Sequence, residues 1–350
     1  MNLKMPLLGC FIFIKVLLPV RAEEFLYDPY EPNPRFEGVS VFDERPIAVI
    51  DTGIDFKHPL LRDRLYNNKH EITNNGIDDD NNGFVDDTIG WDFGENDKIP
   101  YDYLEPKEEL TPITDIRRLN WRSVLNLIKV LISPDAKGHG THVSGIIAQT
   151  SPQARILPIR IDFKKNNITQ QIHDAIAYAI SLNARIINLS LGGKMEGQSE
   201  PVNETRNKIS KLIEESRETL FVIASGNNNQ DLRESNIFPG GLDFENVLTV
   251  GAIDTTENQI NTMASFSNWG EGIVEVYAPG VNINSSWPGG IMKELSGTSM
   301  ATPFVASIAY ELSLEWPLIT GSELRQRVID LGYESSIMKE EIEEETIIIE

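Results

Sequence analysis

Three short segments of the chain hold residue types that, brought together, transfer acyl groups. Ala48-Val-Ile-Asp-Thr-Gly-Ile-Asp55, Gly138-His-Gly-Thr-His-Val-Ser-Gly145 and Ser296-Gly-Thr-Ser-Met-Ala-Thr-Pro303 supply, in chain order, an aspartate, a histidine and a serine. A serine hydroxyl is a poor nucleophile until an imidazole takes its proton and a carboxylate holds that imidazole in one tautomer. Each segment also has a plainer reading. A lone Asp-Thr-Gly can cap a turn, or can meet a second copy in a homodimer and share a proton. Two histidines three apart match metal ligands on one helix face, although the Glu of a His-Glu-x-x-His motif is missing. A serine that opens a helix is a common N-cap. Spacing alone does not choose between His139 and His142, or between Asp51 and Asp55.

These segments need a frame, and the hydropathy pattern supplies one. Ile47-Ala-Val-Ile50 is the short, fully apolar run of a strand buried on both faces. Similar runs recur at 156–161, 185–191, 220–224 and 247–251, separated by helix-period patterns over 168–182 and, more weakly, 209–219. The alternation predicts an α/β fold with a mostly parallel central sheet flanked by helices. Ligands gather at the carboxyl ends of the strands in such a sheet, and Asp51, Ser190 and Asn227 all follow strand ends. Helices are expected at 143–148 and 300–314, with Pro303 tolerated in the first turn of the second. A nucleophile at that helix start would meet the partial positive charge of the helix N-terminus.

Taken together, the three motifs resemble those of the subtilisin-like serine proteases, the subtilases, which carry Asp, His and Ser in this order. The resemblance covers about residues 46–330 and implies the subtilisin-like three-layer fold. By position it implies that Ser299 is the nucleophile, His139 the general base and Asp51 the orienting carboxylate. Phe221-Val-Ile-Ala-Ser-Gly-Asn-Asn228 is similar to the family segment whose Asn amide donates to the oxyanion. That implies Asn227 in the role, with the Ser299 backbone N–H as second donor. Ile187-Asn-Leu-Ser-Leu-Gly-Gly193 resembles the edge on which substrate backbone adds as a strand, so Ser190, Leu191 and Gly192 would line the first specificity pocket. Asn236-Ile-Phe-Pro-Gly240 resembles the segment that closes it. Ile237 stands where relatives often have a very small residue, which implies a shallow pocket for smaller apolar side chains. Phe304 and Ser307 depart from the His and Gly common in the family, and repacking behind Ser299 is expected.

A second signal is Asn75-Gly-Ile-Asp-Asp-Asp-Asn-Asn-Gly-Phe-Val-Asp-Asp87. Asp78, Asp80 and Asn82 alternate as in the start of an EF-hand loop, Gly83 allows a sharp turn, Phe84 offers its carbonyl and Asp86 falls at the ninth position. Ile89 occupies the twelfth position where an EF-hand has Glu, so a full EF-hand is excluded. Similar loops in some subtilases bind Ca²⁺, and that is the cofactor expected here. The plainer reading is a solvated acidic loop.

The remaining features set location and partners. Residues 1–22 have a basic start, an apolar stretch broken by Lys15, and Val20-Arg-Ala22, which is the pattern of a secretory leader. Leu7-Leu-Gly-Cys10 offers a weaker lipoprotein-like alternative. Loss of the leader would remove Lys4, Lys15, Arg21 and the single cysteine, moving the net charge from −22 to −25. Such a surface repels nucleic acid and anionic membranes and attracts cations. The expected organisation is a leader (1–22), an extended arm (23–45), a peptidase domain (46–335) and an acidic tail (336–350). An insertion over 98–134, helix-like over 116–132, would be a rim, a partner-binding helix or a surface decoration. No long propeptide is evident between leader and core, so folding is expected to proceed unaided or with a separate inhibitor or folding partner. The reading that results is a secreted calcium-binding serine endopeptidase acting on protein or peptide substrates. A non-catalytic, calcium-dependent scaffold on the same fold is the alternative.

Overall fold

Every apolar run forms a strand, and the strands share one sheet. The computed structural model describes residues 10–11, 45–101, 138–194, 199–235, 237–255 and 262–332. The central strands are β2 (Ile47–Asp51), β4 (Ile156–Arg160), β5 (Ile186–Leu189), β7 (Leu220–Ala224), β9 (Val247–Asp254) and β11 (Val274–Pro279). With short β1 (Cys10–Phe11) and β3 (Trp91–Asp92) at the edges, the order is β1-β11-β9-β7-β5-β2-β4-β3, and β10 (Thr262–Met263) completes nine strands. All pairings are parallel except β10 on β9.

Alternate residues of each strand feed opposite layers, as the two-residue period of a strand requires. Ile47, Val49, Ile186, Val222 and Val250 pack with helices α1 (His139–Thr150), α4 (Thr298–Glu315) and α5 (321–332). Ala48, Ile50, Ile187, Leu189 and Ile223 pack with α2 (Ile168–Ser181) and α3 (Glu200–Glu215) on the other face. The result is the expected three-layer α/β architecture. A sheet covered on both faces explains why its strands read as unbroken apolar runs.

Strand β11 and helix α5 were not anticipated, and two further elements differ from expectation. Helix α3 starts at Glu200, nine residues before the expected 209, with Pro201 in its first turn. Only Ile209 and Ile213 are buried among its sixteen residues, so its first half shows no apolar stripe. The antiparallel hairpin β12 (Ile283–Trp287) and β13 (Ile291–Leu295) lies outside the main sheet. Its turn signal, Pro288-Gly289-Gly290, stands in the sequence between the two strands. The arm over 23–44, the helix expected over 116–132 and the tail over 336–350 lie outside the described residues.

Candidate active site

Asp51 is the last residue of β2, and His139 is the first of α1. The carboxylate of Asp51 is buried, with its two oxygens 2.8 and 2.9 Å from His139 Nδ1. The Thr52 N–H donates to Asp51 Oδ1 at 2.7 Å, and the Gly140 N–H donates to Thr52 Oγ1 at 3.0 Å. A carboxylate accepts only, so Nδ1 carries a proton and the neutral ring presents its Nε2 lone pair. Two glycines make this approach possible. Gly138 has φ 97°, and a Cβ there would lie 2.7 Å from the Trp287 ring. A Cβ on Gly140 would lie 2.2 Å from the Gly53 carbonyl oxygen and 3.0 Å from Asp51 Cβ.

The competing residues of each motif do other work. His142 is fully buried, and its Nε2 lies 3.1 and 2.9 Å from the carbonyls of Ile283 and Lys293 on the hairpin. Burial lowers its pKa from 6.5 to about 4, so it is a neutral structural donor. Asp55 accepts from the Lys57 and Gly289 N–H groups and fixes the loop after β2.

Ser299 is the second residue of α4. Its Oγ donates to the Ser190 carbonyl at 3.1 Å. A cavity of about 310 Å³ opens over it, lined by His139, Ser299, Asn227, Ser190, Leu191, Gly192 and Ile237. All four expected catalytic or oxyanion groups except the buried Asp51 therefore face one space, with the expected pocket residues around them. Asn227 follows β7. Its Oδ1 accepts from the Thr298 N–H at 2.8 Å and from Thr298 Oγ1 at 3.0 Å. A backbone N–H needs an acceptor, so this end of the amide is the oxygen and Nδ2 is the free donor end. Ile237 is buried in β8 (Ile237–Phe238), which pairs with β6 (Gly193–Lys194), and its Cγ2 faces Gly192.

Phe163 also lines the cavity and is 44% exposed. The sequence reading missed it, although an aromatic among Asp162, Lys164 and Lys165 was a visible signal. Phe304 packs in the core, and Ser307 Oγ donates to the Pro303 carbonyl at 2.7 Å, so neither departure from the family pattern enters the cleft.

The acidic loop assembles a different set of oxygens from the one its spacing suggested. Carboxylate oxygens of Glu71, Asp80 and Asp87 all lie within 4.8 Å of one another. The Asn82 amide touches this group, bonding Asp80 at 3.2 Å and Asp87 at 2.9 Å. Asp78 instead accepts the Asn82 and Gly83 N–H groups and closes the turn. Asp86 accepts from Lys98 Nζ at 2.8 Å, and that hydrogen bond holds its carboxyl below the ordinary range. The Phe84 ring is clamped by Trp91, Phe93 and Tyr178 at centroid distances of 4.9, 5.6 and 4.7 Å. Glu71 lies too far upstream of the motif for spacing to have found it. Burial pushes the Asp87 carboxyl up, against hydrogen bonds from Tyr178, Asn82 and Asn68. Three converging carboxylates with no histidine or thiolate fit a hard divalent cation such as Ca²⁺.

Known proteins share this construction. Residues 44–331 match the model of the Subtilase family. A thermophilic serine proteinase from Bacillus sp. (strain AK1) is 34% identical over 75% of this chain and 50% of its own length. Thermitase from Thermoactinomyces vulgaris is 29% identical over 75% of this chain and 72% of its own. The crystal structure of a cold adapted subtilisin-like serine proteinase superposes with a TM-score of 0.53 at 25% identity, covering 85% of each chain. The fold and the clustered Asp, His and Ser define the class, and the chain belongs to the Subtilase family. It spans about half the length of the thermophilic serine proteinase.

Proposed function

We propose that this chain is a secreted serine endopeptidase stabilised by Ca²⁺. The observation that carries the reading is the Asp51–His139 pair opening onto the cavity that also holds Ser299 and Asn227. Ser299 Oγ attacks the scissile carbonyl while His139 Nε2 takes its proton, and Asp51 stabilises the imidazolium that forms. The Asn227 amide and the Ser299 N–H receive the oxyanion. His139 then protonates the leaving amine, and water releases the acyl group by the reverse sequence. Substrate backbone pairs along Ser190–Gly192, and the first pocket, narrowed by Ile237, takes smaller apolar side chains.

Calcium is assigned to Glu71, Asp80 and Asp87, with Asn82 beside them. The ion would supply positive charge that holds the loop closed. Export rests on the leader pattern of residues 1–22. It is supported by a relative in Bacillus subtilis (strain 168) that bears the name cell wall-associated protease. The arm, the insertion and the acidic tail are proposed as appendages of the 46–335 domain, and a separate inhibitor or folding partner as its control.

A biotinylated peptidyl phosphonate tests the chemistry, because it bonds only an activated serine. Wild-type protein should label covalently and Ser299→Ala should not. An unlabelled wild type that is folded would point to a non-catalytic scaffold.

A further inference from the structure

Helix α4 has a proline where the nucleophile's own carbonyl needs a donor. In an α-helix the carbonyl of residue i accepts the N–H of residue i+4. For Ser299 that residue is Pro303, which has no N–H. The pattern therefore leaves the Ser299 carbonyl without its helical partner at the floor of the cleft, and an unpaired buried carbonyl is costly.

The residue that follows β5 supplies the missing donor. Ser190 Oγ donates to the Ser299 carbonyl at 2.9 Å. The contact is reciprocal, because Ser299 Oγ donates to the Ser190 carbonyl at 3.1 Å. Two serines 109 residues apart in sequence are thus tied hydroxyl to carbonyl in both directions. The Ser190 hydroxyl is also directed. Asn188 Nδ2 donates to Ser190 Oγ at 3.0 Å, so that oxygen accepts from the amide and spends its single proton on Ser299. Asn188 and Ser190 are 0% and 3% exposed, so water does not compete readily for these bonds.

We infer that Ser190 is a positioning residue for the nucleophile, with Asn188 setting the direction of its hydroxyl. Its hydroxyl replaces the helix hydrogen bond that Pro303 removes. It thereby holds the main chain of Ser299, including the N–H aimed at the oxyanion, against the edge that receives substrate. This role rests on the serine-protease reading and adds to it. A residue that merely lined the pocket would act on substrate affinity, whereas a clasp on the nucleophile acts on turnover.

The test is a double-mutant cycle between Ser190→Ala and Pro303→Ala, read in kcat, KM and thermal unfolding midpoint. Losing one neutral hydrogen bond, about 1.4 kcal/mol, corresponds to about tenfold. Ser190→Ala should lower kcat by about tenfold and leave KM within about twofold. Ser190→Thr, which keeps the hydroxyl, should retain most of the rate. With Pro303→Ala a backbone N–H returns, and Ser190→Ala should then cost less than about threefold, with the same non-additivity in the midpoint. Equal costs of Ser190→Ala in both backgrounds overturn the clasp, and so does a loss confined to KM. Asn188→Ser is an independent check that needs no change in the helix, and an unaltered kcat there also counts against the inference. The midpoint coupling reports on the clasp even if the wild type cleaves no peptide, so failure of the clasp and failure of the protease reading are distinguishable.

Discussion

Ile237 lines the cleft with one branched side chain. Its Cγ2 faces Gly192, and the residue is buried within β8, which pairs with β6. A pocket that holds a fixed volume discriminates by only about 1–3 kcal/mol per methylene, so replacing this side chain should shift preference without abolishing cleavage. Ile237→Gly should raise kcat/KM for substrates with Phe at the cleaved position at least about tenfold relative to Ala. A peptide library profiled with both proteins measures this, and a wild type that already cuts best after Phe or Tyr would refute the shallow pocket. At this scale the sequence was most informative. Its motifs held Asp51, His139, Ser299 and Asn227, but the choice of His139 over His142 came from family resemblance. Spacing cannot make that choice, because both histidines lie on one helix. What separates them is a carboxylate beside one and two hairpin carbonyls beside the other.

Helix α1 and the β12–β13 hairpin are joined by His142, which makes this pair of elements sensitive to acid. The ring is neutral in the folded protein, with its pKa lowered from 6.5 to about 4 mainly by burial. The unfolded chain binds the proton more readily, so this contribution is complete above pH 6.5 and is lost as pH falls toward about 4. A shift of that size is worth about 3 kcal/mol. His142→Gln keeps a neutral donor for the carbonyls and removes the titration. Urea unfolding at pH 7 and pH 4.5, with calcium in excess at both, should show the wild type losing clearly more stability than the variant. Parallel losses would mean that His142 is not the acid-sensitive joint. The hairpin itself could not be read from the apolar pattern, because β13 is exposed at four of its five positions. Helix α3 was foreshortened for a similar reason, since mostly polar residues occupy its first two turns and only Ile209 and Ile213 are fully buried. Five of the central strands were legible because burial on both faces leaves few polar residues to interrupt them, whereas β11, with Glu275 in it, was not.

The molecule as a whole carries 53 acidic and 31 basic residues, and among the described residues the carboxylates of Glu71, Asp80 and Asp87 form one cluster. Mutual repulsion there opposes folding until a cation joins the group. A ligand at 100 times its dissociation constant stabilises the native state by about 2.7 kcal/mol. Chelation of calcium should therefore lower the unfolding midpoint by about 5 °C or more. Glu71→Gln should begin with the lower midpoint and respond less to the chelator. Identical melting curves with and without EDTA would remove calcium from the account. The cluster shows the limit of motif spacing, because it joins a residue upstream of the loop to two within it.

The place of Ser299 in the chain has a consequence for biosynthesis. Asp51 and His139 are made early, but the nucleophile arrives on α4, whose residues Met300, Ala301 and Val305 fill one face of the sheet. A chain still emerging from the ribosome has no serine in the cleft and no helix to finish that layer. The hydrolytic centre can come into being only after nearly the whole domain has been delivered. On the proposed reading, the order of the segments delays hydrolytic activity until synthesis of the domain is nearly done.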